Sequence, residues 1–276
     1  MRNTSILRVS ILVLRLVFLE MLAVLFDWAG SAATQNAAVE AQAVISCRAP
    51  GTPEQQMNCA ALEGQVLDAT VFVRFTMHCG QDGHRSGRAL VTSHATVIDS
   101  RTLLTHDHFA RLNDPNCDAR SLEIIGARAG LLAEIVDPTP LDDLVRQLRP
   151  GRNDEGTQAR TVTFPTELFA PSPALVFERF DSLPDEEVLA GWGELAQVNW
   201  HPYPRQTYVQ WVKPTATEMR GDAYGLIVGK QVEIGASGGG VFRVAAGRLY
   251  HVGNVWATWQ DNDASLVALN QLVVQQ

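Results

Sequence analysis

Glu233-Ile234-Gly235-Ala236-Ser237-Gly238-Gly239-Gly240-Val241-Phe242 decides how the rest of this chain is read. A serine set in Gly235-Ala236-Ser237-Gly238-Gly239, entered from apolar Ile234 and left through Val241-Phe242, suits a nucleophile loop. The glycines permit a sharp turn and let a substrate carbonyl come close enough for main-chain N–H groups to hold an oxyanion. A glycine-rich turn between two strands has the same composition. A second signal upstream separates the two readings.

That signal is Thr102-Leu103-Leu104-Thr105-His106-Asp107-His108-Phe109, which follows the strand-like run Ala95-Thr96-Val97-Ile98. A strand ending in Leu-Leu-Thr, with a histidine within three residues, sets an imidazole at a sheet edge as a general base for a facing serine. A metal contact at His106 and His108 lacks a nearby Cys, Glu or third His at ligand spacing. Taken together, the two stretches resemble the chymotrypsin-like (trypsin-like) serine peptidases. There a Leu-Thr-x-x-His segment carries the base and Gly-x-Ser-Gly-Gly the nucleophile. The resemblance implies His108 as base, from its spacing after Thr105, with His106 as the competing candidate, and Ser237 as nucleophile. It implies an oxyanion hole from the N–H groups of Gly235 and Ser237, and an acyl-enzyme mechanism without metal or cofactor. Gln231, six residues before the serine, falls where the family sets the base of its specificity pocket. A neutral residue there predicts a neutral or polar substrate side chain.

The third member is a carboxylate between the two, because this family orders its triad His, Asp, Ser. Asp143, in Pro140-Leu141-Asp142-Asp143-Leu144-Val145, is one candidate. Yet Thr139 reads as an N-cap, Pro140 as a first-turn residue, and Leu141, Leu144, Val145 and Leu148 recur at helical spacing. Asp142 and Asp143 then belong to a surface helix. Asp154, in Asn153-Asp154-Glu155-Gly156-Thr157, stands just before the strand formers Arg160 to Phe164, where the family keeps its histidine-orienting aspartate. Asp154 is therefore the preferred acid.

The first 33 of the 276 residues differ in kind from the rest. Arg2, Arg8 and Arg15 punctuate an apolar run from Ile6 to Trp28, and Ser31-Ala32-Ala33 supplies a small-residue exit, which reads as a secretory signal. Glu20 inside the run keeps an uncleaved membrane anchor as the alternative. A secreted or extracytoplasmic location follows. The net charge of −8 does not invite nucleic acid, so the expected partner is a protein or peptide substrate, met by a monomer. Four cysteines in an exported chain favour two disulfides, for which three pairings are open. The expected set is Cys47–Cys59, closing a short loop, and Cys79–Cys117, since similar peptidases often bridge the histidine loop to a neighbouring strand.

Residues 34–64 read as an N-terminal extension and 65–276 as the peptidase domain. Alternation in Thr70 to Phe75, Leu90-Val91, Ala95 to Val97, Leu122 to Ile125 and Leu131 to Val136 marks short strands of a first barrel, about 65–170. After a proline-bearing link at 166–186, a second series runs through Glu187 to Ala190, Tyr208 to Val212, Tyr224 to Val228, Gly240 to Val244 and Leu249 to Trp256. It forms a second barrel, about 185–262. Ala264 to Val274 is periodic enough for a closing helix. The expected fold is all-β: two six-stranded antiparallel β-barrels of the chymotrypsin type with a C-terminal helix. Two rivals differ in class. An α/β-hydrolase needs an acid and then a histidine after the serine, and His251 alone follows, with no acid between. A catalytically inactive secreted homologue would bind rather than cleave, with Trp192, Trp200 and Trp211 as a binding face.

Overall fold

The computed structural model describes residues 46–80, 87–106, 112, 114, 116–148, 159–171, 175–221, 223–259 and 263–271. The signal-like segment 1–33 lies outside the described residues. Helix α1 (Pro53–Asp68) comes first; Thr52 caps it by accepting from Gln55 N at 3.2 Å, and Pro53 opens it where an N–H would be orphaned. Its buried face, Cys59, Leu62 and Val66, packs on Ala196, Val198, Trp211 and Phe242 from far along the chain. Trp211 Nε1 donates to Glu63 at 2.8 Å. Ahead of the helix, Cys47 N and Arg48 N donate to the Glu194 carboxylate at 2.7 and 2.9 Å. Both expected disulfides are present, Cys47–Cys59 and Cys79–Cys117.

The first sheet holds β1 (Thr70–Cys79), β2 (Gly87–Val97), β3 (Thr102–His106), β4 (Cys117–Gly126), β5 (Gly130–Ile135) and β6 (Ala159–Thr163). Their order is β5-β4-β1-β2-β3-β6 and every pairing is antiparallel. Alternate residues of β1, Val71, Val73, Phe75 and Met77, enter one core with Leu103, Leu122 and Ile124. Helix α2 (Pro138–Leu148) seals that core with Leu141, Leu144, Val145 and Leu148, the four residues that the helical spacing singled out. It starts two residues earlier than expected, at Pro138 rather than Pro140. Asp137 rather than Thr139 caps it, its Oδ1 accepting from Thr139 N at 3.0 Å and its carbonyl from Leu141 N at 3.2 Å.

The second sheet holds β7 (Leu175–Phe177), β8 (Leu195–His201), β9 (Gln206–Val212), β10 (Pro214–Arg220), β11 (Ala223–Val228), β12 (Gly240–Ala245), β13 (Arg248–Trp259) and β14 (Ala264–Leu269). Seven run in the order β10-β11-β14-β13-β12-β8-β9, and β7 adds a short parallel pairing to β13. Two mainly antiparallel sheets with few helices are consistent with the all-β, two-barrel architecture that the resemblance implied. The details differ in three places. Ala264 to Leu269 is a strand and not the start of a closing helix, because β11 and β13 pair with it and bury all six residues. A fully buried apolar run carries no period that separates strand from helix. Glu187 to Ala190 lies in helix α3 (Glu186–Trp192), started by Asp185, which accepts from Val188 N at 2.9 Å. The second sheet has eight strands, not six.

Candidate functional site

Ser237, Gly235 and Gln231 sit on the segment between β11 and β12. The peptide joining Gly235 to Ala236 is pinned at both ends: its carbonyl accepts from His94 Nδ1 at 2.7 Å and its N–H donates to Glu233 O at 3.0 Å. The peptide joining Ser237 to Gly238 is pinned likewise. Its carbonyl accepts from His94 N at 2.8 Å and Ser93 Oγ at 2.9 Å, and its N–H donates to Val255 O at 2.8 Å. Gly239 N then donates to Ala236 O at 2.9 Å. The intervening N–H groups, those of Gly235 and Ser237, donate to no acceptor among the described residues. Ser237 is half-buried, and its Oγ likewise has no partner among the described residues. The loop therefore turns two carbonyls inward and leaves two amides, one on each side of Ala236, able to donate to a further oxygen.

This backbone demands glycine where it does. Gly235 has φ +108°, and a Cβ there would stand 3.0 Å from Trp200 Cδ1. Gly238 has φ +77°, and its Cβ would press on His94 O, Ser93 Oγ and Thr105 Oγ1.

The loop lies at the junction of the two sheets. From the first come Ser93 and His94 on β2 and Thr105 on β3, whose Oγ1 donates to His94 O at 2.7 Å. From the second comes Thr207 on β9, 2.9 Å from His94 Nε2. Phe72 on β1 stacks on Trp200 on β8 at 4.7 Å, and the His94 ring meets both edge-on at 5.1 and 5.6 Å. Among the described residues, one side of strand β13 beside the loop has no paired strand. Its pairing with β12 stops at Asn254, Val255 N donates to Gly239 O at 2.7 Å, and beyond Val255 no described strand covers that side.

His108 and Asp154 lie outside the described residues. The competing histidine, His106, ends β3 opposite Ala159 and is fully buried, a poor position for a base that must meet substrate. Asp143 lies on α2, exposed, ion-paired to Arg146 and accepting from Gln147 Nε2 at 3.0 Å. Gln231 is exposed, and its carbonyl accepts from buried Gln210 at 3.2 Å. His94 was not singled out from sequence. The signal was nonetheless there: Ser93-His94 interrupts the apolar run of β2, and polar side chains buried within a sheet require partners.

Burial governs the charge state here. Desolvation lowers the pKa of His94 to about 4, against a smaller opposing pull from the Gly235 carbonyl, and lowers that of His251 to about 3. Gly235 O can only accept, so neutral His94 carries its proton on Nδ1 and receives one from Thr207 at Nε2. The unfolded chain protonates both histidines near pH 6.5, where the folded protein refuses the proton. Stability is thus full above pH 6.5 and falls as pH drops towards 4, by about 3 kcal/mol for each ring. Urea unfolding at pH 7.5 and 4.5 checks this; an unchanged midpoint contradicts it.

No family model and no curated protein matches the sequence. Among solved structures the chain is similar to catalytically inactive tobacco etch virus protease complexed with substrate. That match has 13% identity, covers 75% of this chain and 79% of that one, and has a TM-score of 0.44. It is also similar to the thermostable serine protease AL20 from an extremophilic microorganism, with 11% identity, 75% and 93% coverage and a TM-score of 0.46. A murine norovirus protease is similar at 10% identity, with 67% and 91% coverage and a TM-score of 0.39.

Proposed function

We propose that the protein is a serine endopeptidase of extracytoplasmic location, with Ser237 as nucleophile, His108 as general base and Asp154 orienting the base. One observation carries this reading: two peptides pinned at both ends hold the amides of Gly235 and Ser237 without acceptors among the described residues around Ser237. Such a pair suits a developing oxyanion, a contribution of about 3 kcal/mol per donor to the transition state. In the reaction His108 takes the hydroxyl proton as Ser237 Oγ bonds the substrate carbonyl carbon. The proton then passes to the leaving amine, and water hydrolyses the acyl-enzyme. The bare edge of β13 beyond Val255 gives an extended peptide a strand to pair with. Ile234, 94% exposed next to Gly235, offers the substrate an apolar contact, and Gln231 a neutral polar one. The tryptophans do not favour a binding module instead, since Trp192 and Trp211 are buried and Trp200 is stacked on Phe72.

The test is covalent. Purified protein treated with a fluorophosphonate should carry the adduct on the peptide containing Ser237, read by mass spectrometry. A protein that stays unlabelled overturns the proposal.

A further inference from the structure

The peptidase reading leaves buried His94 without a task. His94 is wholly buried in β2, yet it is hydrogen-bonded on every polar side. Its main-chain N–H holds Ser237 O, its Nδ1 holds Gly235 O, and its Nε2 is fixed by Thr207 on another strand. Phe72 and Trp200 meet the ring edge-on and limit its rotation.

We infer that His94 is a positioning residue for the oxyanion amides: one side chain sets the tilt of the Gly235–Ala236 peptide and, through it, the direction of the amides on either side. The inference rests on the peptidase reading of Ser237. A glycine at φ +108° has little steric preference of its own, so the orientation of its carbonyl must come from a partner. The ring supplies that partner from the first sheet, while Ala236 N is held within the loop by Glu233 O. If the Gly235 carbonyl is released, the peptide can rotate about Gly235 ψ and Ala236 φ, and with the compensating change in Gly235 φ the amide of Gly235 can turn away from the serine. Substrate contacts along β13 are untouched by such a rotation, so the bond-forming step should suffer and binding should not.

Two amide substitutions separate the two ring nitrogens. In His94→Asn the side-chain N–H falls near the place of Nδ1 and can still donate to Gly235 O. In His94→Gln the amide reaches towards Thr207, and the Gly235 carbonyl loses its donor. Both lose the ring, so a role in packing alone affects them alike. Wild type and both variants, each shown to melt cooperatively, are titrated with a fluorophosphonate to separate the inactivation rate constant from the inhibitor affinity. His94→Gln should be inactivated about 100-fold more slowly at unchanged affinity, with His94→Asn restored to within about tenfold of wild type. Equal rates in both variants, fast or slow, overturn the inference and leave the peptidase reading standing. Should His94→Gln be recovered only unfolded, folded His94→Asn decides: near-wild-type labelling upholds the inference and a hundredfold loss overturns it. Wild-type protein that takes no label overturns the reading and the inference together.

Discussion

Ser237→Ala should lower peptide hydrolysis by about 10⁵–10⁶-fold and abolish fluorophosphonate labelling, while leaving the melting temperature nearly unchanged. The two halves of this expectation have separate causes. What Ser237 gives the fold comes from its main chain: its carbonyl is held by His94 N and Ser93 Oγ. Its hydroxyl has no partner among the described residues, and the side chain is only half-buried. Removing one oxygen there leaves no buried group unsatisfied and should cost less than about 0.5 kcal/mol. Chemistry, by contrast, loses its only covalent partner. The pinned loop should still donate the amides of Gly235 and Ser237, so a small residual rate above water is expected to survive. Hydrolysis or labelling at the wild-type rate in the variant would show that another residue is the nucleophile.

Asp154→Asn should reduce turnover by about 10⁴-fold at neutral pH, because an amide favours the wrong imidazole tautomer. Asp143→Asn is the matched control. Asp143 is engaged by Arg146 and Gln147 on the exposed side of α2, and Gln147 in turn accepts from Thr163 N at 2.8 Å, tying the helix to β6. Losing that charge should alter stability by less than about 1 kcal/mol and leave turnover within a few-fold. Rates are compared only after circular dichroism shows both variants folded. A reversed pattern, with Asp143→Asn inactive and Asp154→Asn active, assigns the orienting acid to α2.

Legibility in the sequence followed the range of the interactions. The tight turn around Ser237 could be read because its requirement shows in the glycines themselves, at Gly235 and Gly238, where φ is positive and a Cβ would strike a neighbour. The face of α2 could be read because four apolar residues repeat at helical spacing. The strand Ala264–Leu269 could not. Its identity is set by β11 and β13 on either side, and its continuous burial erases the alternation that would mark it. His94 escaped notice for a related reason. A lone histidine in a strand acquires meaning only from Gly235 and Thr207, which lie 141 and 113 residues away.

The anchoring of the chain's first described helix bears on the order in which the molecule can assemble. Glu194 and Trp211, which hold Cys47 and Glu63, follow them by 147 and 148 residues. While the polypeptide is being made, residues 46–68 have no docking surface until β8 and β9 exist. The strands of the first sheet, by contrast, find one another early. Docking of this helix on the second sheet therefore cannot precede synthesis of β8 and β9. The Cys47–Cys59 bridge spans only 12 residues, so it can form before that step and shrink the conformational search that docking must end. Replacing Cys47 and Cys59 by alanine, with Cys79–Cys117 left intact in the first sheet, should accordingly slow the appearance of the native state more than it slows formation of that sheet, a kinetic signature that pulsed hydrogen exchange would read strand by strand.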